Sequence, residues 1–242
     1  MEKKNILKKC LFLSVLCVLV IVVISIMLKY DVEGEKEMPF TIGKILLVST
    51  VDGDKVDDEN NIWNINVTQV NDVYIYIDKK TTEDETIKEV RIEDFNIIKK
   101  PLKGNVKILR PTGELSNLYA QSKQDYLNTG ITYNGGVIDD LKSLEISNNG
   151  GILGFRIALT DLGSYISNES TEIIYDGRLF SNLGLTAQDV ECNISFNIII
   201  KTNDNIEFKG TINLQVPSGN FVEDGSSSIE ITNFDNVVFK RI

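Results

Sequence analysis

Two adjacent runs constrain this chain more than anything else in it. From Val190 to Lys201 the sequence VECNISFNIIIK puts Val190, Cys192, Ile194, Phe196, Ile198 and Ile200 on one side. Glu191, Asn193, Ser195, Asn197 and Lys201 fall mainly on the other. After Thr202-Asn203-Asp204-Asn205, the run IEFKGTINLQV sets Ile206, Phe208, Ile212, Leu214 and Val216 against Glu207, Lys209, Thr211, Asn213 and Gln215. A period of two held through both runs, joined by Asn and Asp, predicts an antiparallel hairpin with one wet face.

The rest of the chain repeats that pattern. Phe40 to Val51 is a long β-branched stretch; Trp63, Ile65 and Val67, then Val73, Ile75 and Ile77, alternate with polar or aromatic neighbours. Further strands are expected at Ile87–Ile98, Val106–Arg110, Leu144–Ser147, Ile152–Leu159, Ile229–Phe234 and Val237–Lys240. Three alanines in 242 residues argue against a helix-rich domain, since alanine is the best helix former. Short helices are expected at Asp161–Ile166 and Gly177–Leu183, with Thr186 and Asp189 spaced as an N-cap and its answering acid. The fold class is mainly β: an antiparallel β-sandwich-like exported domain, one large or two smaller lobes, after a single N-terminal transmembrane helix. Residues 111–136 break the alternation, either as a linker between lobes at 39–110 and 137–242 or as an excursion within one domain. The stretch Arg91 to Lys99 faintly echoes Glu230 to Val238, and chance similarity accounts for it.

The N-terminal segment predicts location. Cys10 to Leu28 is nineteen residues without charge, proline or glycine, enough at about 1.5 Å per residue to cross a hydrocarbon core of roughly 30 Å. Lys3, Lys4, Lys8 and Lys9 precede it, and only Lys29 and Lys36 follow closely. The positive-inside rule then keeps the N-terminus in the cytoplasm. The reading is a basic cytoplasmic tail at 1–9, a transmembrane signal-anchor helix at 10–28, an acidic stalk at 29–38 and an extracytoplasmic β-rich domain at 39–242. A cleaved signal peptide is the alternative, but the apolar run is long for one and no small-x-small site follows it. A lipoprotein fits less well, because Leu16 stands before Cys17 where a small residue is wanted. Residues 1–29 carry five lysines and one acid, which leaves 20 basic and 34 acidic residues beyond them, a net charge of −14. Such a domain repels nucleic acid.

Chemistry is sparse. With no histidine there is no Ser-His-Asp or Cys-His catalysis and no HExxH zinc site. No SxxK, GxSxG, P-loop or GxGxxG occurs. Sortases share the anchored β-domain plan, but Cys192 sits on an apolar strand face and lacks a histidine partner. The acidic stretch from Val51 to Asn61 offers Asp52, Asp54, Asp57 and Asp58 as hard ligands for calcium. It fails the EF-hand pattern, with Val56 at position five and Trp63 at position twelve, and reads as a solvated connection between strands. No cofactor, resident metal or catalytic residue is assigned. Tyr74 and Tyr76 share one face of a strand and are the binding candidates, either stacking on a sugar or peptide or covering a second buried face. Trp63 belongs with Ile65 and Val67 in the core. Three glycosylation sequons, at Asn66, Asn168 and Asn193, read as accidents of an AT-rich genome, given 32 Ile and 23 Asn.

In Met38-Pro39-Phe40-Thr41-Ile42, Arg91 to Pro111 and Ser226 to Arg241 the chain resembles uncharacterised single-span membrane-anchored proteins of low-GC Gram-positive bacteria. The likeness is one of organisation over most of the chain. It implies a single span with an exported β-domain, and it brings no activity and no site residues. Two functions follow as expectations. One is a non-catalytic module of the cell envelope that binds an envelope protein or wall polymer. The other is a histidine-independent envelope enzyme that uses paired carboxylates, on glycans for instance.

Overall fold

The computed structural model describes residues 2–33, 38–59, 62–80, 84–112, 119, 123–134, 136–137, 145–147, 149–167 and 174–242. Within these, the side chains of 2–11, 28–33, 56–59, 62, 136–137 and 145 are not described.

The expected hairpin is present. β9 (Cys192–Thr202) and β10 (Glu207–Val216) pair antiparallel without a bulge, from Lys201 opposite Glu207 to Cys192 opposite Val216. Their alternate apolar side chains are buried. β3 (Ile87–Lys99) lies on the other side of β9, followed by β5 (Ile131–Asn134); β12 (Lys240–Arg241) closes the far edge beside β10. The order of this five-stranded sheet is β12-β10-β9-β3-β5.

The larger sheet is built on β1 (Phe40–Glu59) and β2 (Ile62–Lys79), a long antiparallel pair with two register shifts. β8 (Gly150–Ser167) pairs with β2, and β11 (Ser226–Ile231) with the outer side of β1. β7 (Glu145–Ser147), β6 (Gly136–Val137) and β4 (Asn105–Leu109) complete seven strands, with β4 alongside β8. Phe155 of the larger sheet meets Phe196 of the smaller with ring centroids 5.3 Å apart and nearly perpendicular, and Phe95 stands within 5.7 Å of both. The Tyr133 hydroxyl of β5 donates to the Gly154 carbonyl of β8 at 2.6 Å. The two sheets therefore face each other across one apolar core, as in a sandwich. Strands from both 39–110 and 137–242 take part in each sheet.

Several expectations need correction. Residues 161–166 are not helical; they continue β8, and Asp161 takes a left-handed conformation (φ 62°) at the break in alternation. Its carboxylate accepts hydrogen bonds from Asn105 and Thr160, and the pairing with β2 slips there, Val67 opposite Gly163 but Gln69 opposite Leu159, so the interruption is a bulge in the strand. The acidic stretch is not a loop as far as Glu59, because β1 runs through it. The run 63–77 is one strand, not two. From Val237 onward, only Lys240 and Arg241 form a strand. Residues 232–238 carry no strand, so the echo of 91–99 has no structural counterpart.

The helical expectations elsewhere are met. α2 (Arg178–Ser181) falls inside 177–183. α3 (Ala187–Val190) begins after Thr186, whose backbone N–H and hydroxyl both donate to the Asp189 carboxylate, at 2.8 and 2.7 Å. α4 (Phe221–Asp224) leads into β11, and Phe221 packs edge-on against Phe180 of α2.

α1 (Glu2–Glu33) is continuous and apolar on every side over residues 12–27, where all the side chains are exposed. Among the described residues no helix is long and apolar enough to cross a membrane. The span expected at 10–28 runs at both ends into residues whose side chains are not described.

Candidate functional site

The outer faces of the two sheets differ in kind. On the smaller sheet, Arg91 bonds Glu89 at 2.7 Å and Glu207 at 2.8 Å, and lies 3.5 Å from Glu93. Lys201 bonds the other oxygen of Glu207 at 2.8 Å. Asp94 accepts from Asn197 and Lys209. Neighbouring charges thus engage one another across β3, β9 and β10. The hydrogen bonds from Arg91 and Lys201 hold the Glu207 carboxyl down at about 2.

That shift has a measurable consequence. A carboxyl depressed below its unfolded value of about 4.3 contributes stability in full above that value and loses it as pH falls through about 2. Glu207→Gln should therefore cost on the order of 1 kcal/mol at neutral pH and low salt, a discounted figure for a partly exposed pair. Urea unfolding of the full chain in detergent at a series of pH values checks this. The gap between native and variant should close between about pH 4.5 and 2.

The larger sheet presents something else. Its outer face is a grid in which Lys44, Leu46 and Val48 of β1 stand opposite Tyr76, Tyr74 and Asp72 of β2. These in turn stand opposite Ile152, Gly154 and Arg156 of β8. The two tyrosines are half-buried, as are Lys44 and Arg156. Arg156 donates through Nε and Nη2 to the two oxygens of Asp72, at 2.7 and 3.0 Å, a forked pair that fixes the plane of the guanidinium. Its Cζ lies 4.2 Å from the centre of the Tyr119 ring. At the other end Lys44 bonds Glu230 of β11 at 2.6 Å and lies 4.8 Å from the centre of the Tyr76 ring.

Tyr119 is the unusual member. It is only 6% exposed, and its hydroxyl has no hydrogen-bond partner among the described residues. Burial, and then the charge of Asp72, push its pKa well above the ordinary value. Burial also pushes Tyr74 up to about 12, with Asp72 adding to it. Both phenols therefore remain protonated near neutral pH and act as donors as well as acceptors. For Arg156, burial opposes the charge and the Asp72 pairing more than offsets it, so the guanidinium is held charged.

Other residues singled out in the sequence fall elsewhere. Asp52 and Asp54 lie on β1, where Asp52 accepts the backbone N–H of Gly53 at 2.8 Å. Asp57 and Asp58 belong to β1 by backbone, and their side chains lie outside those described. Among the described residues no three of His, Cys, Asp and Glu gather as metal ligands would. Cys192 is fully buried, and that burial lifts its thiol to about 11, so it stays protonated. Trp63 is on the core side, with the Lys55 ammonium 2.9 Å from its ring centre.

Tyr74 and Tyr76 are thus brought together with Asp72, Arg156 and Tyr119, none of which the sequence reading singled out. The charges of Asp72 and Arg156, 84 positions apart, were visible on strands of alternating pattern, but nothing local pairs them. Tyr119 lies in the irregular 111–136 segment and carried no signal. Comparison with protein-family models, curated proteins and solved structures returned no match.

Proposed function

We propose that the protein is a membrane-anchored extracytoplasmic binding module of the cell envelope, its sandwich presenting the outer face of the larger sheet to an envelope protein or wall polymer. The observation that carries this reading is the Tyr74–Tyr76 face, where two half-buried rings lie beside ion pairs that are already satisfied. Aromatic side chains supply contact area at little conformational cost and mark binding surfaces for that reason. The anchor is supported by the exposed apolar surface of residues 12–27, which water disfavours on all sides of a helix. It is supported also by the four lysines ahead of it, which favour a cytoplasmic N-terminus. The proposal assigns the module no reaction.

Crosslinking in living cells with a C-terminally tagged full chain tests it. A reproducible envelope component should be captured, and Tyr74→Ala with Tyr76→Ala should abolish the capture while the purified variant still unfolds in one cooperative transition, its urea midpoint lowered by the loss of two half-buried rings. Protease added to intact cells should digest the chain beyond residue 38. Protection of the whole chain, or capture indifferent to both tyrosines, would overturn the reading.

A further inference from the structure

β11 follows β1 in unbroken register, from Ser226 opposite Thr50 to Ile231 opposite Ile45, and among the described residues no strand or turn bonds its other side. The Val51 N–H donates to the Gly225 carbonyl at 2.8 Å, which fixes the parity of the ladder. Ser227, Ile229 and Ile231 therefore bond β1, while Ser226, Ser228 and Glu230 turn their N–H and C=O groups outward. Strand edges are ordinarily guarded by shortness, lysine, proline or a bulge. The strands that end the two sheets elsewhere, β4, β5, β6 and β12, have only two to five residues. β11 has six, SSSIEI, with none of these guards. Its apolar side is incomplete as well. Ile229 stands opposite Leu47 on the core side, yet Leu47 is 0% exposed and Ile229 39%. The stretch of β10 beyond β12, by contrast, already buries its inward Ile212, Leu214 and Val216.

A second copy of β11, antiparallel to the first, meets both needs in one register. With Ile229 opposite the partner's Ile229, Ser228 falls opposite the partner's Glu230 and Ser227 opposite the partner's Ile231. The outward backbone groups of Ser228 and Glu230 then exchange bonds with those of the partner's Glu230 and Ser228. The two Ile229 form a non-hydrogen-bonded pair at the axis, with Cα atoms about 4.5 Å apart, and cover each other. No like charges meet: the Glu230 side chain, 53% exposed and paired with Lys44, faces a serine hydroxyl that donates to it. We infer that the protein forms a two-fold dimer through β11, two seven-stranded sheets joined edge to edge. Because the strands cross the axis antiparallel, the two β1 strands begin at opposite ends of the joined sheet. On the anchored reading, the pair lies with its strands along the membrane. The dimer needs nothing from Tyr74 or Tyr76.

The test is sedimentation equilibrium of the full chain in density-matched detergent over a concentration series. A reversible monomer–dimer equilibrium should appear. Ser228→Pro removes an outward N–H and leaves the bonds to β1 in place, and Ile229→Lys puts a charge at the axis. Each should weaken the dimer tenfold or more while the variant still unfolds in one cooperative urea transition. The register is read separately, in a chain carrying Cys10→Ser and Cys17→Ser. Under mild oxidation Ile229→Cys should form a disulfide between copies faster than Ser227→Cys or Ile231→Cys, because only position 229 faces itself. If Ser228→Pro fails to fold, Ile229→Lys and the cysteine series decide. A chain that stays monomeric throughout would overturn the inference. So would a dimer indifferent to both substitutions, which would place association elsewhere, or crosslinking fastest at 227 or 231. In living cells, capture of a different protein rather than a second copy by Ile229→Cys would also overturn it.

Discussion

Asn71→Ala should lower the stability of the sandwich by about 3–5 kcal/mol, as the loss of one partner from several buried polar groups requires. Asn71 is fully buried on the core side of β2, and its amide is used completely. Oδ1 accepts from the Ser49 hydroxyl and from Gln69 Nε2, both at 2.8 Å. Nδ2 donates to Gln69 Oε1 at 2.8 Å and to the Ile157 carbonyl of β8 at 3.2 Å. Ser49 in turn accepts the backbone N–H of Ser218 at 2.9 Å, which ties the segment before α4 to β1. Alanine takes one partner each from the Ser49 hydroxyl and the Ile157 carbonyl and two from the Gln69 amide, whose Oε1 loses its donor, while Ser49 keeps Ser218 and Gln69 Nε2 keeps the Val70 carbonyl. Urea unfolding of the full chain in detergent measures the loss. The double change Gln69→Leu, Asn71→Leu removes both amides together, leaves Ser49 bonded to Ser218, and should recover part of the stability, since apolar replacement of paired groups is often near neutral. A cost below 1 kcal/mol for Asn71→Ala would show that water enters and serves the network.

Phe196→Ala should cost about 3–5 kcal/mol, the range for emptying a buried aromatic site. The residue is 1% exposed on β9 and touches Phe155 from the larger sheet and Phe95 from its own. The three rings span the space between the sheets, so the cavity would open at their junction. Phe196→Leu, which keeps part of the volume, should cost clearly less in the same urea series. A double-mutant cycle with Phe155→Leu should return a coupling of about 0.5–1.5 kcal/mol, the value of an edge-to-face pair beyond its buried area. Additivity of the two changes would mean that the rings act only as filling.

How much of this was legible follows from which forces act locally. The β9–β10 hairpin was readable because its alternation runs unbroken and its turn lies between the runs. β2 read as two strands because Gln69 and Asn71 occupy inward positions, where an apolar residue is expected. They pair with each other, and Asn71 also with Ser49 and Ile157, distant in sequence, so the apolar pattern does not mark them as interior. Asp161 misled in the same way: its left-handed bulge interrupts the pattern of β8 without ending the strand. The tyrosines of β2 were visible as a pair on one face. Their surroundings were not, since Arg156 arrives through strand pairing and Tyr119 from a segment without periodicity.

The pairing of β1 with β11 sets an order of events for a chain that is made from its N-terminus. Lys44 finds Glu230 186 positions later, so the first strand to appear waits for nearly the last before its outer edge is closed. The smaller sheet waits longer still, because β12 at Lys240–Arg241 supplies its final partner. Until then the β1–β2 pair offers the open side of β1 to whatever strand comes near, including another nascent copy. Folding of this kind is slow and exposed to mispairing. A chain cut short by even twenty residues keeps most of its hydrophobic strands and loses the pieces that close both sheets, and it should accumulate as aggregate.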